Sequence, residues 1–144
     1  MAIPRKPVMH HTKEKGDLGV LKAQVDLHQQ GFLILNPVTE HAPFDLAIYK
    51  DGSFKRVQVK YKSVDRTGSF TVSFRSSWTD KNGTHIRQVN KDEIDVYCVY
   101  CPDTDACYYF DPKDFNKTVT LRVEAPKNNQ KKLVKPIEDY RRVP

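Results

Sequence analysis

One four-residue stretch, Lys50-Asp51-Gly52-Ser53, limits what this chain can fold into more than any other. It lies between two apolar, strand-like runs, Phe44–Tyr49 and Phe54–Tyr61. Asp-Gly supplies the two left-handed backbone positions that a tight type I′ turn requires, so the two runs are predicted to pair as an antiparallel hairpin. In the second run Val57, Val59 and Tyr61 alternate with Gln58 and Lys60. Side chains two apart on a strand share a face, so the valines go to the core and Gln58 and Lys60 project together on the other side. Asp45 begins the first strand and Lys60 nearly ends the second. The hairpin therefore brings a carboxylate, an amide and an ammonium to one end of the sheet.

The remaining elements follow from periodicity and breakers. Leu18, Leu21, Val25 and Leu27 recur at helical spacing and Gly31 is a natural C-cap, which predicts a helix over about residues 15–30. Phe32 to Asn36, closed by Pro37, reads as a short buried strand. Further strands are predicted over 69–74, 94–100, 106–110 and 119–123, with a short helix or turn at 112–115. Residues 75–91 form a polar excursion containing Trp78 and Asp80-Lys81-Asn82-Gly83, long for a loop in a compact domain. At 144 residues the chain buries enough surface for one core without a disulfide or metal staple. The expected organisation is a single domain over 1–125 and a basic C-terminal tail over 126–144, ending in a short helix near 137–142.

Charge is distributed unevenly. The net charge is +6, but residues 50–91 hold ten Lys/Arg against three acids, while residues 92–126 hold three against eight. A basic middle and basic ends point to a polyanionic partner. No run is apolar enough for a secretory signal or a membrane span, and three cysteines (Cys98, Cys101, Cys107) cannot all pair within one chain. The expectation is a cytoplasmic protein with no membrane partner and no nucleotide cofactor.

A carboxylate, an amide oxygen and a lysine at one point suit hydrolysis of a phosphodiester. Mg²⁺ takes oxygen ligands, which Asp45, the Gln58 side chain and the backbone carbonyl of Val59 supply, and Mn²⁺ can substitute. Lys60 would hold or help deprotonate the attacking water, or stabilise charge developing on phosphorus. Lys13, Lys15, Arg56, Lys62, Arg66, Arg75, Lys81, Arg87 and Lys91 are candidate contacts to double-stranded DNA.

Phe44-Asp45 followed, after the hairpin, by Val57-Gln58-Val59-Lys60 resembles the PD-(D/E)XK nuclease superfamily. Glutamine in place of the middle acid, together with Thr12-Lys-Glu-Lys-Gly-Asp17 and Glu40-His-Ala-Pro-Phe-Asp45, is similar to its branch of group I intron-associated homing endonucleases. The stretch Phe74–Asp111 is also similar to that branch. The resemblance implies an α/β fold with a restriction-endonuclease-like core: a mixed central β-sheet with an N-terminal helix, the site at the sheet's edge, and an extended β-rich C-terminal half. It implies a metal-dependent, site-specific DNA endonuclease. Because one chain offers one site and a double-strand cut needs two, a homodimer or homotetramer is expected. Relatives carry a glutamate on the first helix at a position that falls near Val20 here; Asp17 and Glu14 are the carboxylates available, and Asp17, one turn earlier, is the expected metal ligand and catalytic acid.

Other readings remain open at this stage. The chain would be a DNA-binding module or an inactive nuclease if the helical acid is missing, or a nuclease acting on branched DNA such as Holliday junctions. The cysteines with His85 could instead hold zinc in an interaction domain.

Overall fold

Asp51 and Gly52 take positive φ values of 53° and 84°, so the hairpin turn forms as the Asp-Gly pair predicts. The computed structural model describes residues 11–124 and 137–144. On either side of this turn run β2 (Leu46–Lys50) and β3 (Ser53–Tyr61), antiparallel, with Leu46 opposite Val57 and Tyr49 opposite Phe54. The edge strand β1 (Leu33–Leu35) pairs with β2. On its other side β3 pairs in parallel with β7 (Val96–Cys101), which pairs antiparallel with β8 (Ala106–Phe110). The result is a five-stranded mixed sheet in the order β1-β2-β3-β7-β8.

Every residue of β7 and β8 is buried. Such strands are continuous apolar runs because both faces of the sheet are covered. On one face lies α1 (His11–Gln29), which starts earlier than residue 15 and ends in Gly31, whose N–H donates to the His28 carbonyl while that of Phe32 reaches back to Leu27. The helix meets the sheet through Gly19, Ala23 and Leu27, packed with Leu46, Ile48, Val57 and Val59. This corrects the expected apolar face: Leu21 and Val25 are 59% and 57% exposed. A Cβ at Gly19 would meet Val59 Cγ1 at 3.6 Å, an ordinary van der Waals contact, so the helix faces β3 directly at this residue. Full burial of Leu27 contributes about 1.5–3 kcal/mol.

A ribbon of β4 (Ser69–Ser73) and β9 (Thr118–Arg122) covers the opposite face, where Phe70, Val72, Val119 and Leu121 join Tyr97, Val99, Tyr108 and Phe110. Three layers result: helix, mixed sheet, ribbon.

The polar excursion is not a loop. It is an antiparallel arm, β5 (Arg75–Asp80) and β6 (Gly83–Gln88), turning through Lys81 and Asn82. At its base the Val89 N–H donates to the Phe74 carbonyl at 3.1 Å, and both flanking side chains pack on the ribbon-side core. The side chain of Trp78 lies outside the described residues, as do residues 125–136 of the expected tail. Residues 137–144 lie against the body: a 3-10 turn (Ile137–Tyr140) buries Ile137, and the Val143 N–H donates to Gln30 Oε1 at 3.3 Å.

Among the described residues no helix is long and apolar enough to cross a membrane. Cys98 belongs to the helix-side core and Cys101 to the ribbon-side core, so the two cysteines point to opposite faces and do not share a zinc site.

Candidate active site

The site forms where β2 ends and β3 continues. Asp45 immediately precedes β2, and its N–H donates to the Val57 carbonyl at 3.0 Å. Two residues further along β3 there is no β2 residue to pair with. The Asp45 side chain takes over that role: Oδ2 accepts from the Val59 N–H at 2.8 Å. Since N–H and C=O of one strand residue project to the same side, the Val59 carbonyl also leaves β3 on the Asp45 side. A strand end thus supplies both a fixed carboxylate and a nearby carbonyl oxygen.

Gln58 and Lys60 alternate with the buried Val57 and Val59 and are half-buried on the sheet face away from α1. Together with Asp45 they line a cleft whose other walls are Ala42 and Pro43 from the approach to β2, and Arg87, Gln88, Val89, Asn90 and Glu93 from the arm's return. The arm and the three predicted residues therefore meet in one place.

Electrostatics in the cleft follow from partial burial. Burial raises the Asp45 carboxyl above its ordinary value, opposed by the Val59 N–H and by the charge of Lys60. Burial lowers the Lys60 ammonium, opposed by Asp45 and reinforced by Lys62. Each is a group whose charged form is poorly solvated. An added cation would relieve the carboxylate, and a lysine shifted downward is better suited to exchange a proton.

The residues present fit a hard divalent cation: the Asp45 carboxylate and the Gln58 amide line the cleft, the Val59 carbonyl leaves β3 toward Asp45, and all three offer oxygen donors. Among the described residues no three His, Cys, Asp or Glu side chains gather as a metal cluster. A site here would therefore draw on amide and backbone oxygens.

Of the helical acids, Asp17 is exposed. Glu14 is half-buried, and its Oε2 is shielded from solvent without a hydrogen-bond partner among the described residues. The helix thus offers its unpaired carboxylate one turn before the expected position.

Two of the candidate DNA contacts are held in the fold. Arg56 donates from Nε and a terminal nitrogen to the two Asp95 oxygens at 2.9 and 3.1 Å, while the Asp95 N–H reaches the Arg56 carbonyl. This pair ties β3 to the approach to β7. Lys91 donates to the carbonyls of Phe115 and Asn116, both at 2.6 Å, above the Phe74 ring. Lys13, Lys15, Arg66, Arg75, Lys81 and Arg87 are exposed, and Lys62 is half-buried.

Tyr97, on the strand predicted over 94–100, is fully buried, and its hydroxyl has no hydrogen-bond partner among the described residues, which the sequence did not signal. Sequence reasoning also missed Glu93 and Asn90, which reach the cleft only through the arm's return. The pairing of Gln58 with Tyr97 across the parallel strands was the missing signal.

Residues 10–143 match the family model described as PD-(D/E)XK endonuclease. Among solved structures the chain is similar to one titled as a bacterial homing endonuclease, I-Ssp6803I. The TM-score is 0.73 at 24% identity, covering 91% of this chain and 88% of that one. At that identity the likeness establishes the shared fold. No curated protein matches the sequence.

Proposed function

This chain belongs to the PD-(D/E)XK endonuclease family, and from that premise we propose that it cuts double-stranded DNA at preferred sites, using a divalent metal held beside Asp45. The observation that carries the reading is the Asp45–Val59 hydrogen bond, which fixes a carboxylate beside Gln58 and Lys60 at the head of the cleft.

Asp45, Gln58 and the Val59 carbonyl would hold Mg²⁺, with Mn²⁺ as a substitute, and Glu14 rather than Asp17 is the helical carboxylate that could join them. When bound, such an ion acidifies a water and neutralises charge on the phosphoryl oxygens. Lys60 works beside it, either taking a proton from the attacking water or, while protonated, stabilising charge that builds on phosphorus. The Val59 N–H keeps one Asp45 oxygen occupied, which leaves the other free to face the cleft.

Binding would come from the exposed basic residues. Arg75, Lys81 and Arg87 lie on the arm, and a two-stranded ribbon fits the DNA major groove. The structural relative is a bacterial homing endonuclease, which is consistent with site preference. Cutting both strands then requires two copies of the chain, as a homodimer or homotetramer.

Replacing Lys60 with Ala tests the assignment. Magnesium-dependent nicking of supercoiled plasmid should fall by at least about 100-fold, with DNA affinity nearly unchanged in a gel-shift titration. A Lys60→Ala protein that nicks as fast as the parent removes Lys60 from the chemistry.

A further inference from the structure

Tyr97 is fully buried, yet its hydroxyl has no hydrogen-bond partner among the described residues. Interiors of native proteins hold few such atoms, and each calls for an explanation. Packing does not provide one. The ring stacks on Phe110 with centroids 5.7 Å apart and planes 7° from parallel, and it meets Phe74 edge-on at 5.0 Å. A phenylalanine would make both contacts.

Register points the hydroxyl's environment toward the cleft. Leu46 pairs with Val57 and Val57 with Val96, while Gln58 pairs with Tyr97. Asp45, just before Leu46, also bonds Val57 through its N–H, and its side chain lines the cleft together with Gln58. Gln58 and Tyr97 are thus opposite each other on neighbouring strands and share a face of the sheet, and Gln58 meets Asp45 in the cleft. The charge of Asp45 reaches the phenol: together with burial, which acts more strongly, it pushes the ionisation of Tyr97 up to about 12. Tyr97 is therefore a neutral donor within electrostatic reach of a carboxylate that has one oxygen engaged by Val59.

We propose that Tyr97 is a positioning residue whose hydroxyl orients the Asp45 carboxylate, across a water the two share, so that Asp45 presents its free oxygen to a divalent cation. Full burial keeps Tyr97 from touching DNA, so it acts through Asp45. The inference rests on the reading of Asp45 as a cation ligand. Hydrogen bonds of this kind, behind the residues that hold a metal, typically govern its affinity.

The test is calorimetric titration of the full chain with Mn²⁺, alongside thermal melting without metal. Tyr97→Phe keeps the ring and should melt no lower than the parent, while binding Mn²⁺ about tenfold more weakly. Added to Asp45→Asn, the same change should weaken the residual affinity no further, because the two act as one unit. The proposal is overturned if Tyr97→Phe binds Mn²⁺ as the parent does, or if its effect persists undiminished beside Asp45→Asn. A parent that binds Mn²⁺ and nicks DNA, with an unaffected Tyr97→Phe variant, removes only the role of Tyr97. A parent that binds no Mn²⁺ overturns the reading of Asp45 and this inference with it.

Discussion

The cleft and the arm are built on opposite principles. At the cleft, Asp45, Gln58 and Lys60 are half-buried on a sheet held between a helix and a second β-layer, and the Asp45 carboxylate is bonded into the backbone of its neighbour strand. On the arm, Thr79 to Thr84 and Ile86 to Gln88 are exposed, and the two strands have each other and a base at Phe74 and Val89. Chemistry requires positions fixed to fractions of an ångström, which packed elements supply. The exposed side chains of Thr79 to Thr84 and Ile86 to Gln88 can change without cost to the core.

Substitutions can break or sharpen this contrast. The Lys60→Ala loss of nicking is the largest expected effect, and it should leave DNA affinity in place. Next comes the Arg75→Ala, Arg87→Ala double variant. DNA affinity should drop roughly tenfold or more at moderate salt, and the slope of log K against log salt should lessen by about 1.8 if each arginine neutralises one phosphate. Stability should stay within about 0.5 kcal/mol of the parent, as for exposed sites in general. If that variant instead binds normally but nicks poorly, the arm belongs to the cleft's machinery rather than to binding. Arg56→Ala is the converse case. It removes the partner of Asp95, so the melting midpoint should fall while DNA affinity moves less than it does for the arm variant; equal losses of affinity would return Arg56 to the DNA surface.

The smallest effect concerns pH. Burial raises the folded-state pKa of Asp45, so the folded chain holds this proton more tightly than the unfolded one. Stability from this group is present at low pH and is lost as pH rises from the unfolded carboxylate range through the raised value. Without metal, Asp45→Asn should therefore melt slightly higher than the parent near neutral pH, and the gain should vanish as pH falls below that range. A variant that melts lower than the parent at neutral pH would show that the carboxylate's bond to Val59 outweighs its burial.

How much of this was legible in the sequence depends on which forces left a pattern. The Asp51-Gly52 turn and the alternation of Val57 and Val59 with Gln58 and Lys60 follow from local backbone rules, and they predicted the hairpin and the meeting of the three site residues. The arm reads as a loop because Arg75–Asp80 and Gly83–Gln88 carry no hydrophobic period, and no residue of Gly83–Gln88 is buried. Of the helix positions that periodicity assigns to the core, Leu18 and Leu27 do pack on the sheet while Leu21 and Val25 are exposed, since periodicity weighs large side chains and Gly19 and Ala23 complete the contact. The choice of Asp17 over Glu14 depends on the rotation of that same helix. Composition counted Arg56 and Lys91 as free positive charge; their partners, Asp95 and two carbonyls near residue 115, are distant in sequence.

The parallel pairing of β3 with β7 also sets an order of events for a newly made chain. β3 is complete at Tyr61, but its partner begins at Val96, after the whole arm. Until that segment emerges from the ribosome, β3 is an open sheet edge flanked by valines, the kind of edge that recruits other strands. The same Lys60 that lines the cleft places a charge on that strand, the kind of residue that discourages pairing with other chains.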